Sequence, residues 1–437
     1  MKLLLISPIF KPDKRMPEAT SVSAISLNII AGLTPPDVEV KIIEEEIAMV
    51  NPDEEDADLV GISCMTSNVM RGYAIADAFR KRGITVILGG IHPSLLPDEA
   101  AQHCDSLCVG EVENVWEQML EDFKNKKLKK RYSSPYPDLQ RFIPLKGRNL
   151  TRKIGMAAVA LETTRGCPFT CNFCTVPVHF GRKQRHRPVE HVVQMIEDAV
   201  KVGIKRVFFM DDNILGTPSY ARKLLKAIAP LKISWSAQST LKTLEKNPDL
   251  MDLSRKSGSV GFFFGIESVG SAMGTFTKSY NSQQALVDGM NRVRDAGLHV
   301  HAALIFGFDQ DTEAVFDETL EFLLKHKIPS ASFHPLTPYP GTALFKQLDE
   351  ENRLLSKDWN DYHYYWGTIV YQPKNFSPQK LFLETARVQE EFSRFSNVIK
   401  GTWVNRKHPL LPHFFNYGLN KTIKLARANW LEHYGNK

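Results

Sequence analysis

Three of the six cysteines in this chain lie close together in the segment CPFTCNFC, as Cys167, Cys171 and Cys174. The other three are spread over residues 64–108 and form no obvious disulfide framework. Cysteine thiolates are the usual protein ligands of iron–sulfur clusters. Three thiolates on a four-iron cluster would leave one iron open to a substrate or cofactor. We therefore interpret the segment as an iron–sulfur site with one open position.

A zinc site is the first alternative for these cysteines. Structural zinc takes four ligands, commonly as two separated pairs, and the sequence offers no matching second pair of cysteines. His179 or His186 could supply a fourth ligand, so zinc stays open at this point. A second alternative is that the three cysteines are structural residues at the end of a strand.

The elements that position these cysteines belong to a chain of 437 residues, a length that suits two domains with a further appendage. The net charge of +6 is mild for this size and does not require a nucleic-acid partner. The first apolar run, KLLLISPIF, is too short for a secretory signal. No uncharged apolar stretch of about eighteen residues occurs, so we expect no membrane-spanning helix and a cytoplasmic location.

Residues 1–125 alternate short runs rich in Val, Ile and Leu with segments whose apolar residues recur at helical spacing. The strand candidates are LLLISPI, VEVKIIEE, LVGISCM, TVILGG and SLCVGE, and the helix candidates are SAISLNIIAGL and NVMRGYAIADAFRKRG. This alternation predicts an α/β fold with a doubly wound parallel sheet, which binds ligands at the carboxyl ends of its strands. The basic, proline-punctuated residues 126–152 are interpreted as a linker.

Residues 153–345 repeat the alternation of strand and helix. The strand candidates are MAAVALETT, RVFFMDD, ISWSAQS, VGFFFGIES, HVHAALIFGF and ASFHPLTP, with helical patterns such as EHVVQMIEDAVKVG, SYARKLLKAIAPL and QALVDGMNRVRDAGL between them. Six βα units predict a partial (β/α)6 barrel, because a closed barrel of eight units would need more chain. Residues 346–437 begin with an aromatic-rich segment and predict a mainly helical C-terminal extension.

The cysteine segment resembles the signature of the radical S-adenosylmethionine (radical SAM) enzymes, Cys-x3-Cys-x2-Cys in the loop after the first barrel strand. Cys167, Cys171 and Cys174 match all three positions directly after the strand candidate MAAVALETT, and Phe173 falls where an aromatic residue usually lies beside the adenine. The resemblance implies a [4Fe-4S] cluster whose open iron binds S-adenosylmethionine. One electron would then cleave the sulfonium and generate a radical that abstracts hydrogen from an unreactive carbon.

The resemblance also implies further S-adenosylmethionine contacts at the strand ends of the barrel. These residues are Asp211 and Asp212 after the second strand, Gln238 and Ser239 at the third, Glu267 at the fourth and Gly307 at the fifth. Several of them have a structural alternative. One of the two aspartates could cap a helix, Glu267 could form a structural salt bridge, and Gly307 could be an ordinary turn glycine.

In the front domain, a serine ends one strand and a pair of glycines ends the next, which would let a bulky ligand approach the backbone. Together with LCVGEVE and the barrel, this arrangement resembles the cobalamin-binding radical SAM enzymes over roughly residues 1–400. The resemblance implies a Rossmann-like cobalamin-binding-type domain with the corrinoid near Ser63, Gly89, Gly90, His92, Gly110 and Glu111. One departure is that SPIFKPDKRMPEATS holds no histidine, whereas many corrinoid folds carry Asp-x-His-x-x-Gly there. Either cobalt has no lower histidine here, as this family permits, or the domain has lost its corrinoid. His92 fits a turn entering a helix better than a replacement cobalt ligand.

The C-terminal segment WNDYHYYWGTIVYQPKNFSP looks like the extension of one branch of this family, which includes hopanoid methylases. It could line a pocket for a large apolar substrate or cap the open barrel. The tail NYGLNKTIKLARANWLEHYGNK is basic and amphipathic, and could contact a membrane surface or pack on the protein itself.

The resemblance implies a cobalamin-dependent methyltransferase acting on an unactivated carbon of a small-molecule or lipid-like substrate. A flavodoxin or ferredoxin would donate the electron, and no nucleic-acid partner is expected. A radical SAM cyclase, rearrangement or carbon–carbon coupling enzyme without methyl transfer is the nearest alternative. A non-catalytic corrinoid- or metal-binding protein is the alternative from another class. No residue that acts on the substrate can be named from the sequence.

Overall fold

The computed structural model describes residues 1–9, 24–146, 158–270, 272–273, 282–362 and 368–394, and single positions between 416 and 428. The chain divides into two compact units. The first comprises Met1–Cys167 and Thr175–Met210, and the second comprises Pro168–Cys174 and Asp211–Lys437. The division therefore falls within the cysteine segment itself. The predicted domain boundaries at residues 125, 152 and 345 stay predictions.

Short buried aliphatic runs form a six-stranded parallel sheet in the first unit, with the spatial order 2-1-3-4-5-6. Its strands are β1 (Lys2–Ser7), β2 (Glu39–Glu44), β3 (Leu59–Ser63), β4 (Thr85–Gly89), β5 (Ser106–Val109) and β6 (Arg131–Ser133). The first five follow the five predicted runs. The strand order reverses beside β1, and open α/β sheets bind ligands outside the carboxyl ends of their strands at such a point.

The helices between these strands bury apolar residues, and the first and the last of them share one core with the sheet. They are α1 (Ile25–Leu33), α2 (Val69–Lys81), α3 (Ile91–Leu95), α4 (Pro97–Ala100) and α5 (Trp116–Lys124). Trp116 is buried with Leu5, Leu27 and Leu59, and its indole N–H donates to the Thr34 hydroxyl at 2.9 Å. This bond ties α5 to the residue that ends α1.

The sixth strand lies in the segment that the sequence interprets as a linker. β6 pairs in parallel with β5, with Tyr132 opposite Cys108. Tyr132 is buried, and its neighbours Arg131 and Ser133 are exposed. A single apolar residue between polar neighbours gives no strand pattern, so the sequence could not predict β6. Residues 131–133 are therefore part of the sheet.

The first unit continues with β7 (Val159–Leu161), β8 (Thr164–Arg165), α6 (Val176–His179), β9 (Arg185–His186), α7 (Val189–Lys201) and β10 (Arg206–Phe209). β7 and β10 pair in parallel, as expected for the first two barrel strands. β8 and β9 form a short antiparallel ribbon that the sequence did not predict. The chain between β8 and β9 carries the three clustered cysteines.

The second unit contains β11 (Ser234–Ser239), β12 (Ser259–Glu267), β13 (His299–Phe306) and β14 (Ser330–Pro335), paired in parallel in chain order. Its helices are α8 (Pro218–Ile228), α9 (Leu241–Lys246), α10 (Asp249–Lys256), α11 (Gln283–Asp295), α12 (Val315–Lys325), α13 (Ala343–Glu350) and α14 (Pro378–Phe392). All six predicted barrel strands are present. The predicted fold class, α/β with parallel sheets, is confirmed.

The C-terminal helix α14 packs on the last strand of this sheet. The Gln389 side chain accepts from the Phe333 backbone N–H at 3.3 Å and lies 3.5 Å from the Ala331 carbonyl oxygen. Both partners belong to β14. Residues 363–367 of the aromatic segment and most of the predicted amphipathic tail lie outside the described residues. Among the helices that are described, none has the length and apolar character needed to cross a membrane.

Candidate functional site

The short ribbon β8–β9 closes the base of the cysteine loop. Gly166 follows β8 with φ +90°, and a Cβ there would lie 2.5 Å from the Lys183 carbonyl oxygen. The Cys167 backbone N–H donates to the Gly181 carbonyl oxygen at 3.2 Å. Both ends of the loop are thus held against each other, and only glycine fits at the position before the first cysteine.

The other two clustered cysteines lie in one turn of the second unit. The Cys174 backbone N–H donates to the Cys171 carbonyl oxygen at 3.1 Å. Nearby, the first residues of α13 are connected to the loop, because the Leu344 N–H donates to the Asn172 carbonyl oxygen at 2.9 Å. The Phe173 ring lies 5.9 Å from the Phe308 ring, next to Gly307 at the end of β13. Two predicted S-adenosylmethionine contacts, Phe173 and Gly307, are therefore neighbours.

The donor chemistry of the three cysteines fits an iron–sulfur cluster. None of them is in a disulfide bond, and Cys167 and Cys174 are partly exposed while Cys171 is buried. Cys167 belongs to the first unit and the other two to the second. Within the described ranges, no group of three or more His, Cys, Asp or Glu side chains is arranged to hold a metal ion. The assignment therefore depends on the thiols and their spacing, and stays a prediction.

Polar residues of the second unit that follow β10 or end β11 contact each other. Ser239, at the end of β11, donates from its hydroxyl to Asn213 Oδ1 at 3.3 Å. The Ile214 N–H donates to the Gln238 carbonyl oxygen at 3.1 Å. Asn213 is buried and directly follows the predicted residues Asp211, which is buried, and Asp212, which is half-buried. The sequence analysis missed Asn213, although it stands in the same segment.

Glu267 ends β12 in a strained backbone conformation. Its φ is +66°, in the left-handed region that residues other than glycine rarely adopt. The pairing with β13 shifts register between Gly265 and Glu267, which marks a bulge. The side chain is 5% exposed. Strain of this kind is concentrated at functional sites, so it supports the predicted cofactor role of Glu267.

In the turn after β13, a tyrosine of the C-terminal extension leaves room only for a glycine. Gly307 has φ +110°, and a Cβ there would lie 2.2 Å from the Tyr371 hydroxyl oxygen. That hydroxyl donates to the Gly307 carbonyl oxygen at 2.6 Å. The backbone N–H groups of Gly307 and Phe308 donate to Asp311 Oδ2 at 2.9 and 3.0 Å. Gly307 is predicted to contact S-adenosylmethionine, and the structure shows that a protein side chain fills the space where its Cβ would lie.

Further contacts from the extension secure the same turn. Arg353 binds Asp309 at 2.7 Å, and the Asn375 side-chain amide donates to the carbonyl oxygens of Asp309 and Asp311. Asp311 is fully buried, and burial raises the pKa of its carboxyl to about 6 against the lowering effect of the two N–H bonds. Arg353, Tyr371 and Asn375 therefore hold the loop after β13, which favours the capping role for this part of the extension.

Buried histidines form a polar ladder between the last two strands. His299 Nε2 lies 2.7 Å and His301 Nδ1 3.0 Å from the Ser330 hydroxyl, and His301 Nε2 lies 3.2 Å from the Ser332 hydroxyl. Burial lowers the pKa of His301 to about 3 and that of His334, on the same strand as the serines, to about 4. Burial therefore keeps the His301 and His334 imidazoles neutral at physiological pH. None of these three histidines is among the site residues predicted from the sequence.

At the front sheet, the glycine pair after β4 serves two different purposes. Gly90 has φ +99°, and a Cβ there would lie 2.5 Å from the Cys64 carbonyl oxygen and 3.1 Å from the Ser63 hydroxyl. A Cβ at Gly89 would meet only Cys108, at an ordinary 3.5 Å. Gly90 is thus required by the protein's own backbone, whereas Gly89 is compatible with the predicted role in ligand approach.

Gly110, after β5, has open space above its backbone. Its φ is +85°, and a Cβ there would have no atom within 4 Å. Its N–H donates to the Ser94 hydroxyl at 2.8 Å. A glycine with an unfilled face at the carboxyl end of a parallel strand fits the close approach of a large flat ligand.

His92 has a role within the protein in this structure. It is fully buried on α3, with Nδ1 3.1 Å from the Thr66 hydroxyl and Nε2 3.2 Å from Glu99 Oε1. Both ring nitrogens therefore have protein partners. This geometry agrees with the expectation that His92 is not a cobalt ligand.

Glu111 also has protein partners, within a buried group of ion pairs that we call the Arg165 cluster. Its members are Glu111, Glu113, Glu162, Arg165, Arg185 and Arg187, three carboxylates and three guanidinium groups. Arg165 contacts all three glutamates, with Glu113 at 2.6 Å and Glu162 at 2.8 Å. Arg185 holds the other oxygen of Glu111 at 2.5 Å. Burial opposes the ionisation of Glu113, but Arg165 holds its pKa below the usual value.

Two family models match the chain. The model described as B12 binding domain matches residues 21–120, and the model described as Radical SAM superfamily matches residues 161–323. Bacteriochlorophyllide d C-8(2)-methyltransferase of Chlorobaculum tepidum is 32% identical over 78% of this chain and 79% of its own length. The C-12(1)-methyltransferase of the same organism is 29% identical over 91% of this chain and 89% of its own.

The chain belongs to the cobalamin-binding radical SAM enzymes. The fold of this radical SAM enzyme agrees with the structure of TsrM from Kitasatospora setae with tryptophan and a SAM analogue, at a TM-score of 0.68 and 15% identity over 88% of this chain and 82% of that chain. OxsB with aqua-cobalamin gives a TM-score of 0.68 and 15% identity over 99% of this chain and 75% of that chain. The predicted cofactors, a [4Fe-4S] cluster, S-adenosylmethionine and cobalamin, are those of the family.

Replacing each glycine of the front pair by alanine should separate stability from corrinoid binding. Gly90→Ala places a Cβ against the Cys64 backbone at positive φ, so we expect it to lower the free energy of unfolding by about 2 kcal/mol or more. Gly89→Ala should change stability by less than about 0.5 kcal/mol but weaken hydroxocobalamin binding about tenfold. Urea unfolding and absorbance titration measure the two effects. Wild-type corrinoid affinity in Gly89→Ala would remove Gly89 from the site.

The hydroxyl of Tyr371 should support S-adenosylmethionine binding by this radical SAM enzyme. Tyr371→Phe leaves the buried Gly307 carbonyl without its donor, so we expect about 1–3 kcal/mol of destabilisation and a several-fold higher Kd for S-adenosylmethionine. Tyr362→Phe is the matched control, because the Tyr362 hydroxyl donates to a different carbonyl, that of Ser356, at 2.9 Å. Calorimetric titration measures both. Equal Kd values in the two variants would contradict a cofactor role for the Gly307 turn.

Asp311 should make stability depend on pH in a defined direction. A carboxyl whose pKa is raised in the folded state stabilises the protein when protonated, and this contribution is lost as the pH rises through about 6. Relative to Asp311→Asn, wild-type stability should therefore fall by roughly 1 kcal/mol between about pH 5 and about pH 7.5. Urea unfolding at both pH values checks this. Asp249→Asn, whose exposed carboxyl has a lowered pKa, should show no such change in this range.

Proposed function

We propose that the protein is a cobalamin-dependent radical SAM methyltransferase that methylates an unactivated carbon. The observation that carries this proposal is the combination, in one chain, of the three-cysteine segment after the first barrel strand with a B12-binding domain in front of it. When bound, the cofactors supply reductive cleavage of S-adenosylmethionine and a methyl group carried on cobalt. Both Chlorobaculum tepidum relatives are methyltransferases.

The residues of the chain would hold and orient these cofactors. Cys167, Cys171 and Cys174 would bind three irons, which would leave the fourth iron to S-adenosylmethionine. Phe173 and Phe308 present adjacent rings for the adenine, since aromatic rings stack on such a base. The strained Glu267 and the buried Asp211 offer carboxylates for the polar end of the cofactor.

On the front sheet, the open backbone face of Gly110 and the backbone of Gly89, beside Cys108, would lie under the corrinoid. Ser63, half-buried at the end of β3, could donate to it. The segment after β1 has no histidine, and His92 is bound to Thr66 and Glu99. We therefore propose that neither this segment nor His92 supplies a lower histidine ligand to cobalt.

For the substrate, we propose a cyclic tetrapyrrole. The support is that two relatives covering more than three quarters of this chain act on bacteriochlorophyllide d. A third, the anaerobic magnesium-protoporphyrin IX monomethyl ester cyclase of Cereibacter sphaeroides, is 24% identical over 63% of this chain. Because this relative is named as a cyclase, cyclisation without methyl transfer is the second candidate function. The hopanoid C-2 methylase of Rhodopseudomonas palustris, 25% identical over 76% of this chain, is the reason to test a lipid as well.

The redox chemistry implies a partner and a compartment. We propose a flavodoxin or ferredoxin as the one-electron donor, because the cluster must be reduced for each cleavage. Six cysteines outside disulfides favour the reducing cytoplasm. A peripheral membrane contact through the basic tail is a further proposal, and most of that tail lies outside the described residues.

Cys171→Ser should abolish turnover while leaving corrinoid binding intact, because a serine oxygen is a poor substitute for a cluster thiolate. We expect wild-type protein, purified without oxygen, to contain iron, sulfide and corrinoid. With a strong reductant and a bacteriochlorophyllide it should form methylated product, 5′-deoxyadenosine and S-adenosylhomocysteine. Cys64→Ser, at a buried cysteine outside the segment, is the control and should retain activity.

Each result has a distinct meaning. Methylation of a hopanoid instead of the tetrapyrrole would correct the substrate class alone. 5′-Deoxyadenosine without S-adenosylhomocysteine would indicate the cyclase alternative. A protein with zinc in place of iron and sulfide would contradict the proposed function altogether.

A further inference from the structure

The Arg165 cluster connects the predicted corrinoid edge of the front sheet to the cysteine loop, and every member lies in the first unit. Glu111 directly follows Gly110, whose open face lies at the carboxyl end of β5. Arg165 stands two residues before Cys167, and Arg185 is its partner across the ribbon that closes the cysteine loop. One carboxylate thus bridges both strands of the ribbon.

The bridge is rigid because Arg165 and Arg185 each bind Glu111 and further partners. The Glu111 and Arg165 side chains are 2% and 5% exposed, so water does not compete for their bonds. Arg185 binds both oxygens of Glu111, at 3.0 and 2.5 Å, and also donates to the carbonyl oxygens of Pro137 and Phe180. A bidentate guanidinium–carboxylate pair fixes orientation as well as distance.

The charges of this cluster also balance. Three carboxylates face three guanidinium groups, so the burial leaves no net charge. Loss of one member would leave its partners buried and uncompensated. The cluster therefore cannot reorganise one pair at a time, and a restraint at Glu111 acts on the ribbon as a whole.

We propose that Glu111 is a positioning residue that couples corrinoid binding to the order of the cysteine loop, and that it does not itself contact the corrinoid. This inference depends on the proposed function. A ligand packed on Gly110 restrains the backbone on which Glu111 stands, and Glu111 transmits the restraint to Arg165 and Arg185. Once one cofactor has ordered the loop, binding of the other no longer carries the full entropy cost of ordering it. Each cofactor therefore favours the binding of the other.

Because of thermodynamic linkage, the coupling can be measured as the ratio of two Kd values for hydroxocobalamin, that of protein without the cluster to that of protein with it. The Kd of hydroxocobalamin is determined on cluster-loaded protein and on protein stripped of its cluster by a chelator, both without oxygen. We expect the cluster to tighten binding at least about fivefold in the wild type. In Glu111→Gln and in the milder Arg185→Lys, which keeps the charge but loses the two-point grip, the ratio should fall to within about twofold of one.

Glu45→Gln is the matched control. Glu45 is another fully buried glutamate of the first unit, bound by Arg71 at 2.6 and 3.1 Å, and it has no contact with the Arg165 cluster among the described residues. It should lower stability but retain the wild-type ratio. A variant that only loosens the fold would behave in the same way, so a merely structural Glu111 would not change the ratio.

Three outcomes would overturn the inference: a wild-type ratio near one, an unchanged ratio in Arg185→Lys, or a ratio lost equally in Glu45→Gln. Circular dichroism identifies variants that fold, and Arg185→Lys decides if Glu111→Gln does not. A wild-type protein that binds both cofactors without coupling contradicts only this inference. A wild-type protein that binds no cluster contradicts the proposed function first.

Discussion

The buried ion pairing of Arg165 is the interaction on which the arrangement of the first unit depends. A guanidinium group with 5% exposure is tolerated only when carboxylates surround it, and here three do. Those carboxylates come from the loop after β5 and the segment after β7, which are far apart in the chain. Because desolvation makes each ion costly alone, the segments must meet for any of them to be buried. The ribbon that closes the cysteine loop is therefore held in place by the same ion pairs.

The strands were largely predictable from the sequence, because each carries a run of buried aliphatic or aromatic residues. The exceptions have physical reasons. β6 offers one buried side chain, Tyr132, and the ribbon β8–β9 has two residues on each side, so neither contains a hydrophobic period. The Arg165 cluster joins residues 54 and 74 positions apart, and such pairs leave no local pattern.

The residue types of the candidate site could be predicted from the sequence. The structural reason for each of these residues was harder to predict. The cysteine spacing is visible directly in the sequence, as is the neighbourhood of Phe173. The glycines are different, because a glycine shows that space is needed without showing what fills it. The space beside Gly90 is filled by the Cys64 backbone and that beside Gly307 by Tyr371, whereas that beside Gly110 is open. Only the fold distinguishes these cases.

The Gly307–Tyr371 contact has a consequence for how relatives of this protein can diverge. Position 307 cannot gain a side chain while a tyrosine stands at position 371, since their atoms would overlap at 2.2 Å. Any homologue with a larger residue in the turn must therefore carry a smaller one in its extension. The two halves of the second unit are then not interchangeable modules: a chimera that joins the barrel of one relative to the tail of another inherits a steric clash or an unfilled gap unless both positions travel together.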